Sequence, residues 1–170
     1  MQQMLILMSP DGKQIGTATR EECHRNGGKL HWGFVLFITN SKGELLITKR
    51  AATKTCGAGL WDGSVVSHQL PNETVLDSMK RESLEEVGIA ITQAQEVGHF
   101  IYTQGFGTYS ENEYCSVYMM QSDATVVIDP KEVSESKWVR VPELLTDMKA
   151  NPDNYAAWLT IPLEKFADKL

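Results

Sequence analysis

The sequence predicts an α/β fold, a mixed β-sheet sandwiched between helices, and three observations carry that expectation. His31–Thr39, HWGFVLFIT, is a near-continuous apolar run, the pattern of a strand buried on both faces. Strand-like segments lie on both sides of a single amphipathic helix between Asn72 and Gly88. Two helical segments then close the chain, an order that suits a sheet covered on both sides. At 170 residues the chain fits one domain with a sizeable core, and no internal repeat, low-complexity tract or linker divides it, so residues 1–170 are read as a single domain.

Each element has a local reason. Met4–Met8 reads as a strand turned at Pro10-Asp11-Gly12, with Gln14–Ala18 as its hairpin partner. Thr19–Asn26 is polar and reads as a short helix or a loop. After the apolar run, Asn40–Gly43 is a turn and Leu45–Arg50 the returning strand. Lys54–Gly59 is a glycine-containing loop, and Leu60–His68 is a further strand leading into the central helix. Asn72 is expected to cap that helix and Gly88 to end it in a left-handed conformation. Glu96–Gln104 and Tyr114–Gln121 read as strands joined by a Gly-rich connection, GFGTYSENE. Lys137–Val141 is a late strand. Pro142 opens a helix through about Lys149, proline being favoured in a first helical turn. Asn154–Lys169 is a terminal helix with Trp158, Leu159, Leu163 and Phe166 on its apolar side, kinked by Pro162.

Composition narrows the function. A net charge of -6 argues against a groove that binds nucleic acid by neutralising phosphates, while leaving small phosphorylated substrates open. Cys23, Cys56 and Cys115 are an odd number without CxxC spacing, which fits neither a disulfide framework nor a zinc ribbon and points to a reducing compartment. The opening MQQMLILMSP lacks the basic segment and apolar length of a secretory signal, and no stretch approaches the ~20 apolar residues of a membrane span. A cytoplasmic protein with no membrane partner is expected, and self-association as a homodimer is left open.

The central helix carries the chemistry. At about 100° per residue, Leu76, Met79, Ser83 and Val87 share the arc that packs on a core. Glu82, Glu85 and Glu86 crowd a neighbouring arc. Like charges at i, i+3 and i+4 repel, and clustering them is reasonable when they hold a hard divalent cation; Mg²⁺ favours carboxylate oxygens and retained waters. A glutamate-rich helix is ordinarily a solvated face, so the exact spacing has to decide.

Glu73 is followed eight positions later by Arg81, then by Glu82, Glu85, Glu86, Gly88 and Ile89. This spacing resembles the box of the Nudix superfamily, in which a glycine and a glutamate precede Arg-Glu-apolar-x-Glu-Glu-x-Gly-apolar. Two positions depart: Ser67 stands in place of the first glycine and Ser83 in place of an apolar residue. The resemblance implies an α/β/α sandwich with the boxed helix against the sheet. It also implies Mg²⁺ (or Mn²⁺) on Glu82, Glu85 and Glu86, with Glu73 and Arg81 pairing to hold the preceding loop on the helix. Glu73 can add a contact on the metal side.

Within that superfamily the chain looks most like the type I isopentenyl diphosphate isomerase branch, over nearly its whole length. That likeness implies a second metal site from His24, His31, His68, Glu111 and Glu113, a donor set suited to Zn²⁺ or Mn²⁺. It implies diphosphate contacts from Arg20, Arg50 and Lys54, and an aromatic wall from Trp158. Trp61 is ambiguous between core and site, and His99 is left over. Two departures weigh against the isomerase reaction, which needs proton-transfer groups on opposite faces of the substrate. Val66 occupies the position of the branch's proton-transferring cysteine, and Glu82 replaces a basic residue, completing a hydrolase-type carboxylate triplet. The expected activity is Mg²⁺-dependent hydrolysis of a diphosphate linked to another group, such as a nucleoside diphosphate derivative. The alternatives are an isomerase with altered acid–base groups, and a module that binds a phosphorylated ligand without turnover.

Overall fold

The computed structural model describes residues 2–169. Its centre is β3 (His31–Thr39), whose side chains alternate between two cores. Phe34, Leu36 and Ile38 pack with Met79, Val87, Ile89 and Ile91 on one side. Val35 and Phe37 pack with Leu144, Met148, Leu159, Leu163 and Phe166 on the other. Helix α2 (Val75–Glu86) therefore covers one face, and α3 (Val141–Ala150) with α4 (Ala157–Phe166) the other. This is the expected α/β/α sandwich.

Among the described residues, nine strands form one sheet. β1 (Met4–Met8) and β2 (Gln14–Thr19) make the first hairpin, followed by the short α1 (Arg20–His24). β3 is flanked by β1, β4 (Glu44–Arg50), β6 (Val65–His68) and β8 (Tyr109–Gln121). Outer pairings add β5 (Trp61–Asp62) and β9 (Val133–Arg140) to β4, and β7 (Gln95–Phe106) to β8. The β3–β8 ladder is parallel and the other ladders between these strands are antiparallel, so the sheet is mixed as expected.

Several boundaries differ from the sequence expectation, among them the late strand, which runs from Val133 to Arg140 rather than from Lys137 to Val141. The N-cap of α2 is Thr74, whose hydroxyl accepts from Asp77 N at 3.1 Å, not Asn72. Asn72 instead takes a left-handed turn conformation, φ 72°, which asparagine tolerates, and so frees Glu73 to reach forward. The expected strand 60–68 is broken into β5 and β6, because the chain changes partner from β4 to β3 at Gly63-Ser64. Ser64 Oγ bridges the break, donating to Leu46 O at 2.6 Å and accepting from Ile38 N at 2.8 Å. The GFGTYSENE segment is not a connection: β7 and β8 run to Phe106 and Tyr109 and turn at Gly107-Thr108, with Gly107 at φ 67°. The terminal helix is shorter than expected: α4 lies between 3-10 turns at Pro152–Asn154 and Ala167–Lys169, and continues through Pro162. Thr19–Asn26 resolves to α1, whose first turn is a capping box of Thr19 and Glu22.

Both departures from the box are accommodated. Ser67 lies in β6 paired with Phe34, without a positive φ. Ser83 is buried under α2, and its hydroxyl donates to Ile89 O at 2.8 Å, tying the helix to the segment beyond Gly88. Ser83→Ala strands that buried carbonyl, so it should lower the urea midpoint by the equivalent of ~1–3 kcal/mol at unchanged m-value. The Glu73–Arg81 contact gives an acid signature. Hydrogen bonds from Arg81, opposed by burial and aided by Ser78, hold the Glu73 carboxyl down at about 2, against an ordinary 4.5. A depressed carboxyl stabilises the fold in full above its unfolded value and loses that contribution as pH falls toward about 2. In acid urea titrations, the stability gap between wild type and Glu73→Gln should therefore shrink from pH 4.5 to 2.

Candidate active site

A cleft of about 510 Å³ opens between the charged side of α2 and the ends of β6, β7 and β8. From α2 come Arg81, Glu82 and Glu85; from the sheet come Val66, Ser67, His68, Tyr102, Glu111 and Glu113. Arg20, Arg50 and Lys54 supply the positive wall and Trp158 an aromatic one. A second cleft of about 470 Å³ shares Arg20, Arg50, Lys54 and Glu111 and continues past His24, Arg25, Cys56 and Tyr109.

The box splits into a structural and an exposed part. Arg81 grips Glu73 with a two-point fork, Nε to Oε1 at 2.9 Å and Nη2 to Oε2 at 2.8 Å, while Ser78 Oγ donates to Oε2 at 2.6 Å. Both oxygens of Glu73 are thus engaged and the residue does not line the cleft. Arg81 also contacts Glu82. Glu85 is exposed on the cleft wall, and among the described residues it makes no ion pair. Glu86 lies buried behind them; burial, opposed by Lys54 and reinforced by Glu82, pushes its carboxyl up to about 8. A buried carboxyl so displaced gains most from a cation, which would restore its charged form.

The five residues implied as a second metal set come together. His24, His31, His68 and Glu111 each offer a donor atom within 4.8 Å of the others, and all four are buried. His24 sits at the end of α1, His31 opens β3, His68 ends β6, and Glu111 and Glu113 share one face of β8. His24 Nδ1 lies 2.7 Å from Arg20 O and His31 Nδ1 lies 2.8 Å from Lys29 O. A carbonyl only accepts, so both Nδ1 atoms carry hydrogen and both neutral rings turn an Nε2 lone pair inward. There His24 Nε2 faces Glu111 Oε2 at 3.1 Å, and His31 Nε2 faces His68 Nε2 at 3.1 Å. Glu113 Oε1 lies 2.9 Å from His68 Nε2 and 3.6 Å from His31 Nε2.

Acceptors pointed at acceptors need a proton or a cation between them. Burial and the neighbouring His68 pull His31 down to about 4 against the pull of Glu113, and burial pulls His68 well below the ordinary histidine value. Those two rings are therefore neutral near pH 7. His24 alone is raised: its burial cost is outweighed by its contact with Glu111. His24 Nε2 and Glu111 Oε2 are buried facing each other at 3.1 Å, with no other hydrogen-bond partner among the described residues. Orphaned acceptors, imidazole lone pairs and carboxylates, with backbone carbonyls fixing the ring orientation, are what a divalent ion of the Zn²⁺ or Mn²⁺ kind takes. Tyr102 OH donates to Glu113 Oε2 at 2.6 Å and aims that carboxylate. Gly33 makes room for it, since a Cβ there would lie 2.6 Å from the Glu113 carboxyl atoms.

The cationic wall is less uniform. Arg50 Nη1 donates to Asp62 Oδ2 at 2.7 Å and Nε to Cys56 O at 3.0 Å, while Lys54 pairs with Glu132. Arg20 is exposed and donates to Gln3 Oε1 at 3.0 Å. Trp158 is both core and wall: it is 2% exposed, its Nε1 donates to Asp62 Oδ1 at 2.7 Å, and its ring borders the cleft. Trp61 lies outside the cleft under Lys49 and Lys137, and His99 stacks on Tyr114. Sequence reading missed Asp62, Tyr102 and Glu132. An acidic residue inside the otherwise apolar LWDGSVV was a visible signal for Asp62; Tyr102 had none, because its contact with Glu113 is made only by the β7–β8 register.

A profile of the NUDIX domain matches residues 29–159. The chain is 31% identical to isopentenyl-diphosphate Delta-isomerase 2 of Aromatoleum aromaticum over 97% of its length and 87% of that protein. It is 31% identical to isopentenyl-diphosphate Delta-isomerase of Burkholderia multivorans, over 97% and 93%. Among solved structures, a Deinococcus radiodurans protein superposes with a TM-score of 0.78 at 22% identity, covering 95% of this chain and 98% of that one. A MutT protein of Methanosarcina mazei does so with 0.67 at 23%, covering 81% and 92%. No helix of the described residues is long and apolar enough to cross a membrane. With the box on α2, the α/β/α sandwich and a domain match across most of its length, the chain belongs to the Nudix family.

Proposed function

We propose that this protein is a divalent-metal-dependent Nudix hydrolase that cleaves a diphosphate linked to another group, such as a nucleoside diphosphate derivative. The observation that carries the reading is that Glu82 and Glu85 line one cleft together with Arg20, Arg50 and Lys54, while Val66 lines the same cleft. Valine has no proton to give, so double-bond migration lacks one of its two proton-transfer groups. Anhydride hydrolysis needs none there. Mg²⁺ held by Glu82, Glu85 and Glu86 would neutralise phosphate charge and acidify water. The chain's own groups do the rest. Arg50 and Arg20 orient the phosphoryl oxygens, and one of the box glutamates, or Glu111 or Glu113, takes the proton from water. Glu73 and Arg81 hold α2 in position.

The His24, His31, His68 and Glu111 group supports a second ion, with Glu113 beside it. The same group, and the names of the curated relatives, favour a second reading as an isopentenyl diphosphate isomerase with altered acid–base groups.

Phosphorus and proton NMR with Mg²⁺ and Zn²⁺ separates these. Nucleoside diphosphate derivatives should release a monophosphate while isopentenyl diphosphate keeps its double bond; dimethylallyl diphosphate appearing instead overturns the hydrolase. Glu85→Gln and Glu86→Gln should each lower turnover by about a hundredfold or more with an unchanged circular dichroism spectrum. Near-native rates in both would remove the metal assignment on α2. Metal analysis of purified protein should find about one tightly held Zn²⁺ or Mn²⁺ per chain. His31→Ala, and Gly33→Ala through its clash with Glu113, should each lose that ion; full retention in both would place it elsewhere.

A further inference from the structure

Asp62 is a buried carboxylate that the proposed hydrolysis does not use, yet it sits at the centre of the cationic wall. Its Oδ1 accepts from Trp158 Nε1 and from Gly63 N, both at 2.7 Å, and its Oδ2 accepts from Arg50 Nη1 at 2.7 Å. The Arg50 guanidinium carbon in turn lies 5.1 Å from the centre of the Trp158 ring. Each of the three side chains therefore touches the other two. Arg50 Nε is taken by Cys56 O at 3.0 Å, whereas Nη2 makes no hydrogen bond among the described residues, and Arg50 borders both clefts.

We propose that Asp62 is a positioning residue for diphosphate binding: it fixes Arg50 over Trp158, so that Arg50 offers its free N–H groups to phosphoryl oxygens. This rests on reading the cleft as a diphosphate site. Two physical consequences follow from the triangle. Without the Asp62 anchor, the long, flexible Arg50 side chain loses the contact that fixes its guanidinium over Trp158. In addition, a ring face that already carries a guanidinium has its π-density engaged, and the fixed positive charge repels a cationic carbon. Trp158 is then a support for a phosphate-binding arginine rather than a stabiliser of a carbocation.

The test uses methylenediphosphonate, a diphosphate that is not hydrolysed, with Mg²⁺ and the full-length protein, read by calorimetry. Asp62→Asn keeps the shape and an acceptor but removes the charge; it should weaken diphosphonate binding by about tenfold or more. With a turned-over substrate, KM should rise in step while kcat changes less than about threefold, since the interaction serves binding alike in ground and transition states. In an Arg50→Lys background, Asp62→Asn should cost less than about twofold further, because the two act as one unit. Wild-type affinity in Asp62→Asn, or losses that simply add in the double variant, overturns the proposal. Should Asp62→Asn fail to fold, Arg50→Lys alone decides: lysine keeps the charge without the planar fork, and undiminished binding overturns it equally. Diphosphonate binding that follows this pattern without turnover of any diphosphate would defeat the hydrolase reading and uphold the role of Asp62. No binding by wild type would defeat the role of Asp62.

Discussion

Along the β3–β8 ladder His31 stands opposite Glu113, and parallel register is kept from there to Thr39 opposite Gln121. Antiparallel pairing of β6 on the other side of β3 places His68 opposite Gly33, a residue that also neighbours Cys115 across the parallel ladder. Glu113 thereby points over a glycine toward two imidazoles, and Glu111, two residues earlier on the same face, reaches the third. A one-residue slip of β8 would turn both carboxylates to the opposite face of the sheet. Packing of β8 itself opposes that slip, because Cys115 and Val117 belong to one core and Tyr118 to the other. Packing and site geometry are thus the same constraint seen at two positions of one strand.

The charged groups around this frame fall into two electrostatic regimes. At α2 and the turn before it, Glu85 is exposed, and Glu73 is ionised and matched by Arg81, as a carboxylate in contact with water and an arginine should be. Deeper, burial and neighbouring carboxylates push Glu86 up to about 8 and push Glu113 up as well. Glu111 goes the other way, held below the usual carboxylate range because its histidine contacts outweigh its burial. Asp62 and Arg50 form a further buried pair, bonded to Trp158 and the backbone. Such groups are costly to bury without mutual compensation or a bound cation. Their concentration at one cleft, rather than their number, marks it as functional.

Legibility followed locality. The box was readable because its partners lie within two helical turns: Glu73 meets Arg81, and Ser83 meets Ile89, whatever the rest of the fold does. The central apolar strand was readable from its buried run. The cap shifted from Asn72 to Thr74 because both residues suit an N-cap, and only the position of Glu73 relative to Arg81 chooses between them. The long β7–β8 hairpin was obscured by its glycines, which suggested a connection, although the turn required only Gly107 to take a positive φ. The histidine set came from resemblance; nothing in the local pattern of His24 or His68 distinguishes a ligand from an ordinary buried ring.

By itself the sequence determined the elements whose physics is short-range: an amphipathic helix with clustered carboxylates, a doubly buried strand, and an order of elements that a two-sided sheet satisfies. Tertiary structure alone decided which distant groups share a volume. It brought β6, α1 and β8 around β3, so that three imidazoles and the Glu111 carboxylate face one point, with Glu113 beside His68. It also joined Asp62, Arg50 and Trp158, which are separated by 12 and 96 positions from Asp62 in the chain. The physical reason is that strand register and helix docking are fixed by the burial of apolar faces over the whole molecule. Where a polar tip ends up follows from that packing, and no window of neighbouring residues contains it.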